Sequence, residues 1–237
     1  MTQTVNRHGW LAPVSGSIYL AGGGSAEDEA LLWSRMLASR PRILYWPFAL
    51  AGAILDTADG WLRSRLADHL VDPAVSTWTS LEEHTPDELS SFDLLWVGGG
   101  NTFRLLDHVP RHGFIRPVRE CVGDGLDFYG GSAGAILACK TIAIAEGHDA
   151  NDDAVSDLTA LGLVVGVTIL PHYTSEQEPS ATSWARLHDQ TIIGLPSRTG
   201  LAVLGSRAEI IGYEPAWLVE PRGTRRHPPG TTIELPH

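Results

Sequence analysis

Cysteine is nearly absent: Cys121 and Cys139 are the two in 237 residues, and neither belongs to a paired metal-ligand spacing. This excludes a disulfide framework and a structural zinc site, and Cys139 in ILACKTI reads as a reduced, buried thiol. Positive charge is also scarce, with 17 Lys and Arg against 28 Asp and Glu and a formal charge of -11. Binding to a phosphate backbone needs clustered cations, so nucleic acid is excluded as a partner. No apolar run approaches the ~18 residues that span a bilayer, and MTQTVNRHGWLAPVSG has no continuous apolar stretch of signal-peptide type. The expectation is a soluble, cytoplasmic chain without a membrane partner, and residues 1–15 read as a loose N-terminal extension.

What is present is an ordinary globular balance, 43% hydrophobic and 19% charged, sufficient for one α/β domain spanning 1–237. Apolar runs rich in β-branched and aromatic residues recur at SIYLA, RILYWPF, VSTWT, DLLWVGG and LDFYGG. Between several of them lie AEDEALLWSRMLAS, ILDTADGWLRSRLADHL and FIRPVRECVGDG, which carry helical periodicity. Strands alternating with helices predict a doubly wound, mostly parallel sheet with helices on both faces. Ser25 ahead of Glu27, Asp28 and Glu29 predicts a capped helix start near residue 26, with acids suited to the helix dipole. After residue 190 the runs TIIGLP, GLAVLG, AEIIGY and AWLVE predict a β meander closing the sheet edge.

Two glycine-rich turns follow predicted strands, VGGGNTF and YGGSAGA, at the strand ends where open α/β sheets bind ligands. In the second, Ser132 has Gly130, Gly131, Ala133 and Gly134 around it, the small neighbours that a serine on a tight strand-to-helix turn requires. The Ala133 N–H would then open a helix and aim at a developing oxyanion, with Gly99 or Gly100 as the second donor. The glycine run serves equally well, by pattern alone, as a phosphate loop or a plain turn. Of ten histidines, His172 in LPHYTS stands out because it follows the apolar run VVGVTIL at a strand end, from which a base can reach Ser132.

VGGGNTFRLL, YGGSAGAILACKTI, LPHYTS and TIIGLP, in that order, resemble the peptidase E family of serine peptidases, which includes aspartyl dipeptidase and the cyanophycinases. The resemblance runs from about Ile18 to the C-terminal strands. It implies Ser132 as nucleophile, His172 as general base, Gly100 and Ala133 as oxyanion donors, and Asn101 and Thr102 lining the same pocket. It also implies a fold similar to class I glutamine amidotransferases with serine in place of their cysteine, and no cofactor or metal.

One motif departs from the family. Where GLPEG or GIDEG is expected this chain has GLPSRTG, so Ser197 stands at the position of the acid that orients the histidine. Losing that charge in a well-defined triad costs about 10⁴ in rate. Ser197 could accept the imidazole N–H without supplying charge; Asp149, in EGHDANDD, could supply it and is the favoured third member; Glu176 or Glu178 could swing in. The loop after His172 is also shorter than expected for aspartyl dipeptidases, which place there an arginine that pairs with an acidic substrate. Arg186 is the nearest candidate and Arg198 the second, neither matching the motif cleanly, so preference for N-terminal aspartate is in doubt.

The leading expectation is a serine hydrolase cleaving a small peptide or amide, dipeptidase-like, with a homodimer kept open as the assembly. The alternatives are a non-catalytic small-ligand-binding homologue that lost its acid, and a repurposed amidase or esterase. Trp184, near the substrate loop, either lines the pocket or packs.

Overall fold

The structure, a computed structural model, describes residues 15–70 and 72–236; apart from Ser15, the expected N-terminal extension lies outside them. Five strands form the parallel part of the main sheet: β1 (Ile18–Ala21), β2 (Ile43–Trp46), β3 (Val75–Thr77), β4 (Leu94–Val97) and β5 (Asp127–Gly131). Side chains alternate between the two faces with the period of two that a strand dictates. Leu44, Trp46, Leu95, Val97 and Phe128 pack on one side. Ile43, Tyr45, Leu94, Trp96 and Tyr129 pack on the other. Both faces are buried, which is why these strands read as continuous apolar runs rather than alternating ones.

Helices cover both faces. The first face is closed by α4 (Thr102–Arg111), α5 (Ile115–Gly123) and α6 (Ala133–Leu137), through side chains such as Phe103, Leu106, Val118 and Ile136. The second is closed by α1 (Ala30–Met36) and α3 (Ala58–Leu66), through Leu32, Trp33, Met36, Leu62 and Leu66. The predicted helix over ILDTADGWLRSRLADHL is divided at Thr57 into α2 (Gly52–Asp56) and α3. The predicted start near residue 26 is a turn: Asp28 N–H donates to Ser25 Oγ at 3.2 Å, but regular helix begins only after Glu29, whose side chain turns inward.

The C-terminal strands do not form one meander. β6 (Val167–Pro171) and β7 (Thr191–Leu195) run parallel in a second sheet with β10 (Ala216–Glu220) and β11 (Gly223–His227). α7 (Glu178–His188) connects β6 to β7. β8 (Thr199–Leu204), β9 (Arg207–Gly212) and β12 (Thr232–Glu234) extend the main sheet beyond β1, each antiparallel to the strand before it, giving the order β12-β9-β8-β1-β5-β4-β2-β3. The change of sheet falls at Pro196-Ser197-Arg198, where a proline that cannot donate to a ladder ends β7. This three-residue link therefore carries the chain from the small sheet to the main one, and Ser197 sits on it. Among the described residues no helix is long and apolar enough to cross a membrane. Cys139 is fully buried, and burial pushes its thiol up to about 12, an inert core sulfur as the sequence suggested.

Candidate active site

The carboxyl ends of the central strands are in register: Ala21 pairs with Gly131 across β1 and β5, and Val97 pairs with Gly130 across β4 and β5. The turns that follow these strands, Gly22–Gly24, Gly98–Gly100 and the one at Ser132, therefore open on one edge. Ser132 itself has φ 50° and ψ −108°, in a region that costs a non-glycine residue about 1–3 kcal/mol. Its neighbours explain how that turn is tolerated. A Cβ at Gly134 would lie 2.4 Å from the Val97 carbonyl oxygen, so only glycine lets α6 sit this close to the sheet. The Ser132 N–H donates to the Ala21 carbonyl at 3.2 Å, which ties the elbow to β1.

His172 follows β6 and also has a positive φ, 53°. Its N–H donates to the Gly22 carbonyl at 2.9 Å, so the β1 turn holds the backbones of both Ser132 and His172. The imidazole Nε2 lies 2.9 Å from Ser132 Oγ, and Nδ1 lies 3.3 Å from Ser197 Oγ. The register of β6 with β7, Pro171 opposite Leu195, brings His172 and Ser197 out at the same sheet end. Crowding around the ring favours its neutral form and lowers the His172 pKa below the usual 6.5, while the Asp149 carboxylate pulls the other way.

Asp149 is not in hydrogen-bond contact with the ring. Its Oδ2 accepts the Thr102 N–H at 2.8 Å, at the N-terminus of α4. Asn101 caps the same helix by accepting the Arg104 N–H at 2.8 Å and donates to the Ala150 carbonyl at 2.8 Å. Asn101 and Thr102 thus fasten the acidic loop to α4 and are not among the residues lining the cavity beside Ser132. Gly100 does line it, at φ 135°, and Ala133 is the buried first residue of α6. Within the Gly98–Gly100 turn, Gly99 comes nearest to Ser132: a Cβ there would be 3.2 Å from Ser132 Cβ.

The arginines lie elsewhere. Arg186 donates to the Pro221 carbonyl at 2.9 Å, and Arg198 pairs with Asp28 at 3.1 Å beneath the ring of Tyr213. Trp184 stacks on His188 with ring centroids 4.0 Å apart and is likewise absent from the cavity lining. Glu176 lies in the 3-10 turn 175–177, and Glu178 opens α7.

Two residues of this edge were not found from sequence. A Cβ at Gly23 would stand 2.4 Å from His172 Cε1 and 2.8 Å from Ser132 Cβ, so glycine there sets the space in which the pair meets. AGGGSAEDE was a third glycine-rich turn after a predicted strand, and the strand-end rule applied to it as to the other two. Glu29 is the second. Read as a first-turn helix acid, it is 5% exposed and accepts hydrogen bonds from the Trp33 indole N–H at 2.9 Å and from the Tyr129 hydroxyl. Burial lifts its carboxyl to about 7, against those two donors and the amides of Gly23 and Gly24.

The pattern that defines peptidase family S51 matches residues 18–211 of this sequence. The chain belongs to peptidase family S51. It is 32% identical over 213 residues to peptidase E of Salmonella arizonae, covering 84% of this chain and 89% of that one. Peptidase E of Shigella sonnei is 33% identical over 208 residues, covering 81% and 86%. Among solved structures, a peptidase from an acI-B1 Actinobacterium superposes with a TM-score of 0.70 at 17% identity, over 95% of this chain and 99% of that one, and shares its fold. That fold is the class I glutamine amidotransferase-like one expected from the motifs. As a member of the S51 family the protein is a peptidase.

Proposed function

We propose that the protein is a serine hydrolase that cleaves one peptide or amide bond in a small, dipeptide-like substrate. The observation that carries this reading is Ser132 at a left-handed φ with its Oγ 2.9 Å from His172 Nε2. Ser132 attacks the carbonyl carbon while Nε2 takes its proton. The tetrahedral oxyanion is met by the N–H groups of Ala133 and of the Gly98–Gly100 turn, Gly100 foremost. His172 then returns the proton to the leaving amine, and water repeats the cycle on the acyl-enzyme.

For Nε2 to accept a proton, the neutral ring must carry its own proton on Nδ1. Ser197 Oγ is the acceptor facing that nitrogen, and it fixes the tautomer without a charge. Asp149 acts through space: held by the Thr102 N–H, it favours the imidazolium that forms in the transition state. The two divide the work that one carboxylate does in a conventional triad. Arg186 and Arg198, engaged elsewhere, supply no substrate contact in this reading.

Reaction with a fluorophosphonate tests the proposal. Ser132 is expected to be the labelled residue, Ser132→Ala to abolish labelling, and hydrolysis of dipeptides to fall by at least ~10⁴ in that variant. The missing carboxylate at Ser197 favours a second reading, a ligand-binding homologue without catalysis. Folded protein that resists the probe would select it, and labelling without any dipeptide cleavage would select an amidase or esterase.

A further inference from the structure

Beside Ser132 lies a cavity of about 410 Å³ with glycine turns on one side and a cluster of aromatic side chains on another. Trp33, Tyr45, Trp96 and Tyr129 form the inner side, from elements of the second core face. They hold each other edge-on or tilted, Trp33 against Trp96 at 4.9 Å and Trp96 against Tyr129 at 4.1 Å between ring centroids, so the wall is rigid. Leu50, Ile54 and Trp61 form the mouth, and Ile54 and Trp61 are 65% and 47% exposed. Large apolar side chains left open at the rim of a concave site mark a surface that a ligand covers. Gly98–Gly100, Gly131, Ser132 and His172 close the cavity on the reacting side.

The charges are equally informative. Among the described residues the one carboxylate in the lining is Glu29, already engaged by Trp33 and Tyr129, and the one lining side chain able to carry positive charge is His172. Both candidate arginines are turned to Pro221 and to Asp28. An acidic group entering here would lose water and meet an acid with no cation to answer it. A basic group would find a carboxylate whose acceptors are already taken.

We propose that this cavity is a subsite for a large uncharged side chain of the substrate, aromatic by preference, and that it rejects acidic ones. The turnover part of this proposal rests on the serine hydrolase reading above; the binding part does not. An aromatic ring fits the rigid wall edge-on and covers Ile54 and Trp61, whereas an aspartyl group gains nothing from either.

The test uses dipeptides carrying Phe, Leu, Lys or Asp at either position beside Ala. Their kcat/KM is measured with the intact protein and their Kd by calorimetry with Ser132→Ala. At one position Phe is expected to give a kcat/KM at least about tenfold higher, and a Kd at least about tenfold lower, than Asp or Lys. Trp61→Ala and Ile54→Ala, with thermal melts confirming that each folds, are expected to weaken Phe more than Ala-Ala. Equal affinities, preference for Asp or Lys, or no detectable binding of any dipeptide would overturn the proposal. So would a stable dimer lost in Trp61→Glu, which would assign the exposed rim to a second copy of the chain. If the fluorophosphonate fails to label Ser132 while calorimetry still ranks Phe first, the hydrolase reading falls and the subsite stands. If labelling succeeds and Asp ranks first, the subsite falls alone.

Discussion

The two ring nitrogens of His172 face two differently built regions. On the Nε2 side, β1, β5 and the turns after them crowd Ser132 so closely that a single added Cβ at Gly23 or Gly134 would collide with its surroundings. On the Nδ1 side, the link between the two sheets offers a serine hydroxyl at 3.3 Å and, among the described residues, no carboxylate in hydrogen-bond contact. Ser132 is positioned by tight packing and backbone strain. The histidine is oriented by one neutral contact and a remote charge. The position of Ser132 should therefore be rigid, and the basicity of His172 should be open to improvement.

The largest effect is expected where crowding is greatest. Gly23→Ala puts a Cβ 2.4 Å from His172 Cε1 at a backbone φ of 88°, so the Ser132–His172 contact must open. A displacement of about 1 Å between reacting groups costs roughly 10²-fold, and kcat/KM should fall by about that much. The thermal midpoint should fall as well, by the equivalent of about 1–3 kcal/mol for overpacking. A variant with wild-type kcat/KM would show that the two sides are not differently built.

Ser197→Asp sharpens the comparison from the other side. A carboxylate is one atom longer than the hydroxyl and brings to Nδ1 the charge that is missing there. We expect kcat/KM to rise by roughly tenfold, part of the ~10⁴ that a triad acid is worth, and the acid limb of the pH–rate profile to move up. Unchanged activity would mean that Asp149 already supplies the full electrostatic contribution.

An effect on stability, with the smallest expected consequence for rate, concerns the anchor beneath the β1 turn. The Glu29 carboxyl is raised from 4.5 to about 7 on folding, so its favourable contribution is complete below about pH 4.5 and is lost as pH rises through 7. The loss is on the order of 3 kcal/mol. Melts across this window should show stability declining with pH, and the slope should flatten in Glu29→Gln, even though the amide is a poorer acceptor for the surrounding donors. A wild-type slope in the variant would place the pH dependence elsewhere.

The visible and hidden parts of this site separate on physical grounds. Ser132 and His172 were legible because each depends on a local feature: small residues about a serine, and a histidine closing an apolar strand. The parallel central sheet was legible for the same reason, since burial on both faces leaves continuous apolar runs. Gly23 and Glu29 act through contacts with residues far along the chain, His172 and Tyr129 among them. No local pattern separates a buried acid such as Glu29 from a solvated first-turn one. The division of the C-terminal strands between two sheets was hidden because pairing, not composition, distinguishes β7 from β8. Asp149 was chosen as a charge near the histidine, and the structure puts that charge on the α4 N-terminus instead of on the ring.

The measurement that goes most directly to the neutral third contact is the protonation of His172, read by nitrogen NMR and assigned by the signals lost in His172→Asn. At neutral pH the ring is expected to be uncharged, with its proton on Nδ1 toward Ser197 and a titration midpoint below the usual 6.5. In Asp149→Asn the midpoint should move lower still, because that carboxylate raises it. A proton on Nε2, or a midpoint above the usual value, would contradict the assignment of Ser197 as the group that holds the base.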